Sequence, residues 1–341
     1  MSENGRTRIP ATLSLDLDNK WSYLKTHGDP QWERLPSYLD VVVPRALEML
    51  GRRGTKISFF IVGKDASDPR HDATLASIPA AGHEIGNHSY NHEPWLHLYS
   101  ERQLEEELAR AEESIQRATG QRPVGFRGPG FSLSRSTLEV LSRRGYRYDA
   151  STLPTFIGPL ARAYYFATSR LSAEEKEQRR ALYGSVSDAL RPLDAYLWTL
   201  GDRSLLEIPV TTMPVFRVPI HVSYVLYLSL FSVALAKLYF SLAVRMCRLT
   251  RTAPSILLHP LDLMGREDDD ELAFFPAMRA SLASKLRLVE YCLDLLDEHF
   301  EVMRMIDYAD RLLATETLRR VRPEFGLAAT AAQARTREAG T

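Results

Sequence analysis

The sequence predicts an α/β fold, a distorted barrel of parallel strands surrounded by helices. Three observations predict it: strand-like and helix-like segments alternate along the chain, glycines close several helical segments, and polar residues stand where predicted strands end. Parallel strands need helical crossovers, and folds of this kind place their chemistry at the carboxyl ends of the strands. We therefore expect the functional residues at that edge of the barrel.

The predicted elements follow one another in order. Branched, aromatic or alternating segments predict strands at residues 11–18, 55–61, 82–87, 123–125, 146–149, 207–210, 255–258 and 301–303. Helical spacing predicts helices at residues 36–50, 72–81, 101–119, 134–144, 278–300 and 307–314. The segment 101–119 gives the clearest helix, because its apolar side chains recur on one side and Gly120 follows.

The composition is that of one sizeable globular domain. The chain has 341 residues, of which 45% are hydrophobic, enough to bury one large core. We expect residues 1–325 to form this domain, with an insertion at about 156–250, and residues 326–341 to be a disordered tail without a core-forming pattern. The two cysteines, Cys247 and Cys292, imply no disulfide framework.

Charge and the first residues set expectations about partners and location. The 43 basic residues equal the 43 acidic ones, which argues against a nucleic-acid partner bound by phosphate neutralisation. The first six residues are polar and run into the first strand without an apolar signal region. We therefore expect a cytoplasmic protein, or one peripheral on the inner face of the cytoplasmic membrane.

Two histidines four residues apart form the first candidate site. Residues 88–92 read His-Ser-Tyr-Asn-His, and His88 and His92 can reach one cation if the backbone makes a single helical turn. The alternative is a pair of capping or core histidines. The position of the pair directly after the strand at 82–87 favours a metal, because sites of open α/β folds and barrels lie at strand ends.

Two carboxylates end the first predicted strand. Burying Asp16 and Asp18 without partners would cost several kcal/mol, so they need a cation, an arginine or water. The alternative is a helix N-cap or a solvated turn. Residues two apart point to opposite faces unless the strand has ended between them. We therefore expect one acid to bind a metal and the other to handle a proton.

Two single residues complete the inventory. Arg127 precedes a glycine-proline turn at a strand end, where the alternative is an ordinary loop with a surface arginine. His259 ends the apolar strand 255–258, where a structural histidine is the alternative to a catalytic one.

Together these segments resemble the polysaccharide deacetylases of carbohydrate esterase family four, the NodB-homology domain. The resemblance covers roughly residues 10–155 and 205–315, with five motifs in the family's order. They are Asp16-Leu17-Asp18, His88-Ser89-Tyr90-Asn91-His92, Arg127-Gly128-Pro129, Asp149 and Leu258-His259. The resemblance implies a distorted (β/α) barrel of the NodB-homology type, here with an apolar helical insertion.

The resemblance also implies a metal and a division of roles. A divalent cation, usually Zn²⁺, would be held by Asp18, His88 and His92. Two departures from the family pattern bear on this: Leu17 separates the two aspartates, which leaves the base and ligand roles open to exchange, and Gly130 stands where a tyrosine is usual.

Four further residues receive catalytic roles from the resemblance. Asp16 would be the general base, His259 the general acid, and Arg127 the partner that keeps Asp16 ionised and oriented. Asp149 would tune His259. A base beside the attacking water and an acid beside the leaving amine are what amide hydrolysis requires.

The expected function is that of a metal-dependent hydrolase, an N-deacetylase that removes an acyl group, expected to be acetyl, from an amino sugar. The substrate is expected to be linked to polyprenyl phosphate at the cytoplasmic membrane face. Two alternatives stay open: a cytosolic C–N hydrolase acting on small amides or ureides, and a non-catalytic module of an envelope-assembly complex.

The membrane expectation rests on the insertion. Residues 222–244 are largely apolar, carry a single charge, Lys237, and are long enough to span a hydrocarbon core of about 30 Å. A single crossing would separate the flanking motifs, so we expect a helix lying in the interface, with arginines after it and a second aromatic-basic stretch at 159–168. The alternative is a helix packed on the barrel or in a dimer interface. The charged segment 170–204 is expected to cover the site or the membrane face.

Overall fold

The computed structural model describes residues 8–157, 189–315 and 317–325. Its strands are β1 Pro10–Leu17, β2 Ser58–Ile61, β3 Glu84–Asn87, β4 Gly125–Phe126, β5 Tyr148–Asp149, β6 Tyr196–Leu200, β7 Arg203–Glu207, β8 Ser255–Leu258, β9 Glu301–Met303 and β10 Arg320–Val321. Its α-helices are α1 Lys20–His27, α2 Leu39–Arg53, α3 Gly63–Ala66, α4 Asp72–Ala80, α5 Glu101–Thr119, α6 Arg135–Arg143, α7 Val222–Ser229, α8 Val233–Thr250, α9 Leu282–His299 and α10 Met305–Thr315. Short 3₁₀ turns join several of them, among them Pro260–Leu263 directly after β8.

The strands form a single sheet in the order β10-β6-β7-β5-β4-β3-β2-β1-β8, and β9 also pairs with β1. Each pairing between the described strands is parallel except that of β6 with β7. Helices connect most of the parallel neighbours, as parallel pairing requires. The predicted α/β fold with a parallel sheet is therefore confirmed.

The register puts the strand ends at one level. Leu15 of β1 pairs with Leu258 of β8, and Asn87 of β3 pairs with Phe126 of β4. In each of these two pairs, the residues that come next along the two strands are therefore neighbours as well. Sequence-distant polar groups meet at this carboxyl edge for that reason.

Both faces of β1 are buried, as is usual for a central parallel strand. Leu13 and Leu15 belong to the main hydrophobic core under the helices. Ser14 and Asp16 point to the other face and are buried as well. At the opposite edge of the sheet, where the strands begin, the chain returns from the helices. The turns after α5 and α6 lie there and have Gly120 (φ 73°) and Gly145 (φ 79°) in the left-handed region.

The structure corrects several predicted boundaries. The helix α1 was not expected, β7 ends at Glu207 where a strand was predicted to begin, and residues 196–200 of the expected charged cover form β6. Residues of β6 alternate between buried and half-buried, which is the pattern of a strand. The stretch 159–168, most of the segment 170–204 and the tail 326–341 lie outside the described residues.

The apolar part of the insertion, residues 222–250, forms two helices rather than one. The helix α7 ends at Ser229, and α8 begins at Val233 after Ser232, whose hydroxyl accepts the Leu235 N–H at 3.2 Å as an N-cap. The prediction of one helix through 222–244 is wrong for this reason. Among the described residues, none of the helices combines the length and hydropathy that a membrane crossing requires.

Candidate metal centre and active site

The chain turns sharply where β1 ends, and this turn sets the two aspartates. Asn19 accepts the Lys20 N–H at 2.8 Å, which caps α1, and its amide also donates to Asp65 at 2.8 Å. The N-cap is thus Asn19, and neither aspartate is used for it. Because the strand ends at Leu17, Asp18 no longer follows the alternation of the strand and can share a site with Asp16.

The two histidines are held by a loop rather than by a helical turn. His88 directly follows β3, and both Ser89 (φ 62°) and His92 (φ 54°) adopt left-handed backbone angles. The Ser89 hydroxyl accepts the His92 N–H at 3.1 Å. Glu107 of α5 accepts the N–H groups of Tyr90 and Asn91 at 3.0 and 2.6 Å. The loop between the histidines is therefore fixed from both sides.

Asp18, His88 and His92 offer ligand atoms that lie within 4.8 Å of one another. The Nε2 atoms of His88 and His92 lie 3.2 and 2.9 Å from Asp18 Oδ1. Ligands at about 2.0–2.1 Å around a tetrahedral ion would be about 3.3 Å apart, so the spacing fits a divalent metal. His88 Nδ1 lies 2.7 Å from the Arg127 carbonyl oxygen and can donate to it, which leaves His88 Nε2 for the ion.

The charges of the three ligands are coupled. Burial alone would raise the pKa of Asp18, but the nearby charges and hydrogen bonds of His92 and His88 hold it well below its usual value. Burial disfavours the charged form of His88, yet the carboxylates of Asp16 and Asp18 raise the pKa of this imidazole above its usual value. Protons therefore compete with a metal for these atoms.

Arg127 and Asp16 form a fully buried ion pair beside this cluster. Arg127 Nη1 donates to Asp16 Oδ1 at 2.6 Å and to Ser14 Oγ at 2.8 Å. Arg127 Nε donates to the Ala150 carbonyl at 3.0 Å, and the guanidinium lies over the Phe60 ring. The other oxygen, Asp16 Oδ2, lies 4.0 Å from His88 Nε2. One oxygen of Asp16 is thus anchored and the other faces the metal ligands.

His259 follows β8 and is held by residues that the sequence did not single out. Its Nδ1 lies 3.0 Å from Ser223 Oγ, and its backbone N–H donates to Asp262 Oδ2 at 2.9 Å. Ser223 also donates to Asp262 Oδ2 at 3.0 Å. His221 packs against the His259 ring at 5.9 Å between centroids.

Asp149 is placed differently from the expectation. The carboxylate beside His259 is Asp262, and Asp149 instead accepts from Ser151 at 2.6 Å. Ser151 in turn accepts the Gly128 N–H at 2.8 Å, in the loop that carries Arg127. The expected pairing of Asp149 with His259 is therefore corrected: the contacts of Asp149 support the other side of the site.

Asp149 also has an acidic neighbour. It pairs in register with Glu207 of β7, whose carboxylate accepts from Thr152 at 2.6 Å and from Trp198 Nε1 at 2.8 Å. Burial, followed by the charge of Asp149, raises the pKa of Glu207 well above its usual value. The remaining oxygen of Asp149 finds no hydrogen-bond donor among the described residues, and a proton shared by the two acids would satisfy it.

The arrangement has the groups that amide hydrolysis needs. Asp18, His88 and His92 would hold a divalent metal, which when bound lowers the pKa of a water and polarises a carbonyl. The free oxygen of Asp16 is positioned beside these ligands to accept a proton, and His259 stands on the neighbouring strand. Ser223 and Asp262 could not be predicted as site residues from the sequence, because neither lies in a motif that ends a strand.

Comparisons with known proteins point to polysaccharide deacetylases. Residues 32–148 match the family model described as polysaccharide deacetylase. The chain is 28% identical over 165 residues to the peptidoglycan deacetylase of Helicobacter pylori, covering 48% of this chain and 55% of that protein. It is 31% identical over 154 residues to the peptidoglycan deacetylase-like protein FGM2 of Gibberella zeae, covering 43% and 44%. The chain thus matches about half the length of these relatives.

One solved structure matches nearly the whole chain. A crystal structure from Mycobacterium smegmatis, of a protein assigned as a polysaccharide deacetylase, aligns with a TM-score of 0.61 and 22% identity, covering 95% of this chain and 98% of that one. At this identity the match shows a shared fold. Residues 32–148 therefore match the polysaccharide deacetylase family, and nearly the whole chain shares the fold of this structure.

Proposed function

We propose that this protein is a metal-dependent N-deacetylase that removes an acyl group, expected to be acetyl, from an amino sugar. The observation that carries the proposal is the cluster of Asp18, His88 and His92 with the free oxygen of Asp16 beside it. The curated relatives named as peptidoglycan deacetylases support an N-acetylated amino sugar as the substrate class. Two imidazoles and one carboxylate are ligands that suit Zn²⁺, which we propose as the metal.

The proposed roles follow from the contacts of each residue. Asp16 accepts a proton from the attacking water, because Arg127 holds one of its oxygens and leaves the other beside the metal ligands. His259 protonates the nitrogen of the departing amine. That nitrogen is a poor leaving group without the proton, so the acid is needed even when the attack is fast.

A direct assay tests the activity. Purified protein loaded with Zn²⁺ is expected to release acetate from N-acetylated amino-sugar oligomers and to lose this activity with a chelator. Restoration by added Zn²⁺ is the control for damage by the chelator. No turnover of any N-acylated amino sugar by protein with a full equivalent of bound metal would refute the activity.

The insertion suggests where in the cell the protein binds its substrate. Along α8 and the turn before it, apolar side chains recur on one exposed side, which we call the apolar stripe: Phe231, Leu235, Leu238, Leu242 and Leu249. Phe231 is 87% exposed, Leu238 65% and Leu249 84%. The opposite side of the helix, with Phe240 and Cys247, is buried in the main core. A helix that is apolar on both sides needs a second apolar environment.

The charges of the insertion indicate which environment that is. Between residues 222 and 251 the chain has no acidic residue and four basic ones, Lys237, Arg245, Arg248 and Arg251. Arg245 and Arg248 lie exposed along α8 beside the apolar stripe. An apolar surface on a helix whose own charges are all cationic suits an anionic lipid surface. The location that we propose is the inner face of the cytoplasmic membrane, with an amino sugar on polyprenyl phosphate as the substrate.

A vesicle experiment tests the lipid contact with a matched pair of variants. Leu242 in the stripe and Leu313 on α10 are each 46% exposed. Full-length protein is expected to float with vesicles of phosphatidylcholine and phosphatidylglycerol, and more weakly with phosphatidylcholine alone. Leu242→Asp should weaken flotation and Leu313→Asp should leave it unchanged. Equal effects of the two variants, or no flotation of the original protein, would refute the lipid contact without touching the deacetylase proposal.

A further inference from the structure

The insertion reaches into the active site through one hydroxyl. Ser223, the second residue of α7, lies between His259 Nδ1 and Asp262 Oδ2, 3.0 Å from each. Asp262 follows His259 by three residues in the 3₁₀ turn, whereas Ser223 comes from 36 positions upstream. The three groups form a chain of hydrogen bonds that runs from the buried carboxylate of Asp262 through the Ser223 hydroxyl to the His259 imidazole.

The direction of these hydrogen bonds follows from the inventory of protons. Asp262 Oδ2 already accepts the backbone N–H of His259 and lies 3.0 Å from Ser223 Oγ, so the single proton of the Ser223 hydroxyl goes to this oxygen. The Ser223 oxygen is then left as an acceptor for the second bond, and His259 must donate to it from Nδ1–H. The ring nitrogen that remains for the substrate is Nε2.

The carboxylate of Asp262, at the end of this chain of hydrogen bonds, is itself held in place. Asp262 is 3% exposed and also accepts the backbone N–H of His259. Burial raises the pKa of Asp262, and this rise is opposed by the charge of His259, by hydrogen bonds from His259 and Ser223, and by the charge of Lys285 on α9. Lys285 also donates to the Leu261 carbonyl in the same turn. The hydrogen-bond chain thus starts from a buried carboxyl group that two elements hold.

We propose that Ser223 is a positioning residue for the general acid: it holds the Nδ1 proton of His259, aimed by Asp262, so that the imidazolium delivers its other proton to substrate from Nε2. This rests on the proposed deacetylase function. In the step, the C–N bond breaks, the Nε2 proton moves to the leaving nitrogen, and the Nδ1 proton stays on the ring, bonded to Ser223. The apolar insertion is therefore part of the catalytic apparatus as well as a surface element.

The kinetic test compares two kinds of leaving group. Ser223→Ala should lower kcat on an N-acetyl amino sugar by about tenfold to a hundredfold, with metal content and KM unchanged. On 4-nitrophenyl acetate, whose leaving group needs no proton, the loss should be under about threefold. Ser223→Thr should restore most of the amide activity. In a His259→Ala background the Ser223→Ala change should have no further effect.

A matched control lies on the same helix. Ser229 donates only to the Leu226 carbonyl at 2.7 Å, within α7, so Ser229→Ala should leave both activities unchanged. Equal losses on the amide and the ester, or no loss at all with Ser223→Ala, would overturn the proposal.

A spectroscopic measurement separates this proposal from the proposed function. The ¹⁵N shifts of the His259 ring, assigned with His259→Gln, should show the Nδ1–H form in the original protein and in Ser229→Ala, and a shift towards Nε2–H in Ser223→Ala. This readout needs no turnover, so an inactive protein with an Nδ1–H His259 would refute the deacetylase function alone. An Nε2–H ring in the original protein would refute the role of Ser223.

Discussion

Replacing Asp16 by Asn tests the division of roles between the two aspartates. The change keeps the side-chain shape but removes the oxygen that can accept a proton. Asp16 Oδ2 lies 4.0 Å from His88 Nε2, whereas Asp18 Oδ1 lies 3.2 and 2.9 Å from the two imidazoles. The metal is therefore expected to stay bound in Asp16→Asn while hydrolysis is lost.

The magnitude of the Asp16→Asn effect follows from general-base catalysis. Loss of the base should reduce kcat by about 10²–10⁴-fold, which corresponds to about 3–5 kcal/mol of activation free energy. Stability should fall by about 1–3 kcal/mol, because an amide oxygen can still accept from the buried Arg127 but carries no charge. Arg127 keeps its bonds to Ser14 and Ala150 in the variant.

Three measurements on Asp16→Asn and Asp18→Asn make the assay: bound metal by elemental analysis, acetate release, and unfolding by guanidinium. Asp18→Asn is expected to lose the metal together with the activity. The reasoning is refuted if Asp16→Asn is the variant that emerges without metal and Asp18→Asn retains it, because the two acids would then have exchanged roles.

Three other outcomes are expected. Metal affinity, measured by competition with a chromophoric chelator, should fall as the pH is lowered, because the raised pKa of His88 lets protons displace the metal; a flat profile would contradict this. The raised pKa of Glu207 means that the folded protein keeps a proton that the unfolded chain releases above about pH 4.5, so stability should decline as the pH rises. Glu207→Gln should make that decline smaller, and parallel melting-temperature profiles from about pH 5 to about pH 8 for the two proteins would count against the shared proton. Phe240→Ala should cost about 3–5 kcal/mol of unfolding free energy and Phe231→Ala less than about 0.5, since the first side chain is fully buried and the second 87% exposed; similar costs would show that α8 is packed differently.

The part of the site that could be predicted from sequence is the part that ends strands. Asp16, His88 and Arg127 each follow a short apolar or branched segment, and the parallel register brings such ends to one edge. The local sequence pattern is therefore enough to predict which residues lie at this edge of the sheet. The roles of these residues stay predictions that the variants above address.

The rest of the site depends on contacts that no local pattern encodes. Ser223 meets His259 across 36 residues and Asp262 across 39, and a serine in an apolar helix has no signature of its own. Asp149 was assigned by its place in a motif, but its side chain turns to Ser151. The break between α7 and α8 was missed because the capping Ser232 lies in an apolar run that continues on both sides.

The two edges of the sheet differ in how much change they can accept. The metal ligands, Asp16, Arg127 and His259 lie at the edge where strands terminate, whereas turns such as those at Gly120 and Gly145 lie at the other edge. Gln121 and Arg122, which enter the sheet there, are exposed. A fluorescent label or a fused reporter joined at Gln121 should therefore leave the spacing of the metal ligands untouched, so the protein can be followed on vesicles while it still works.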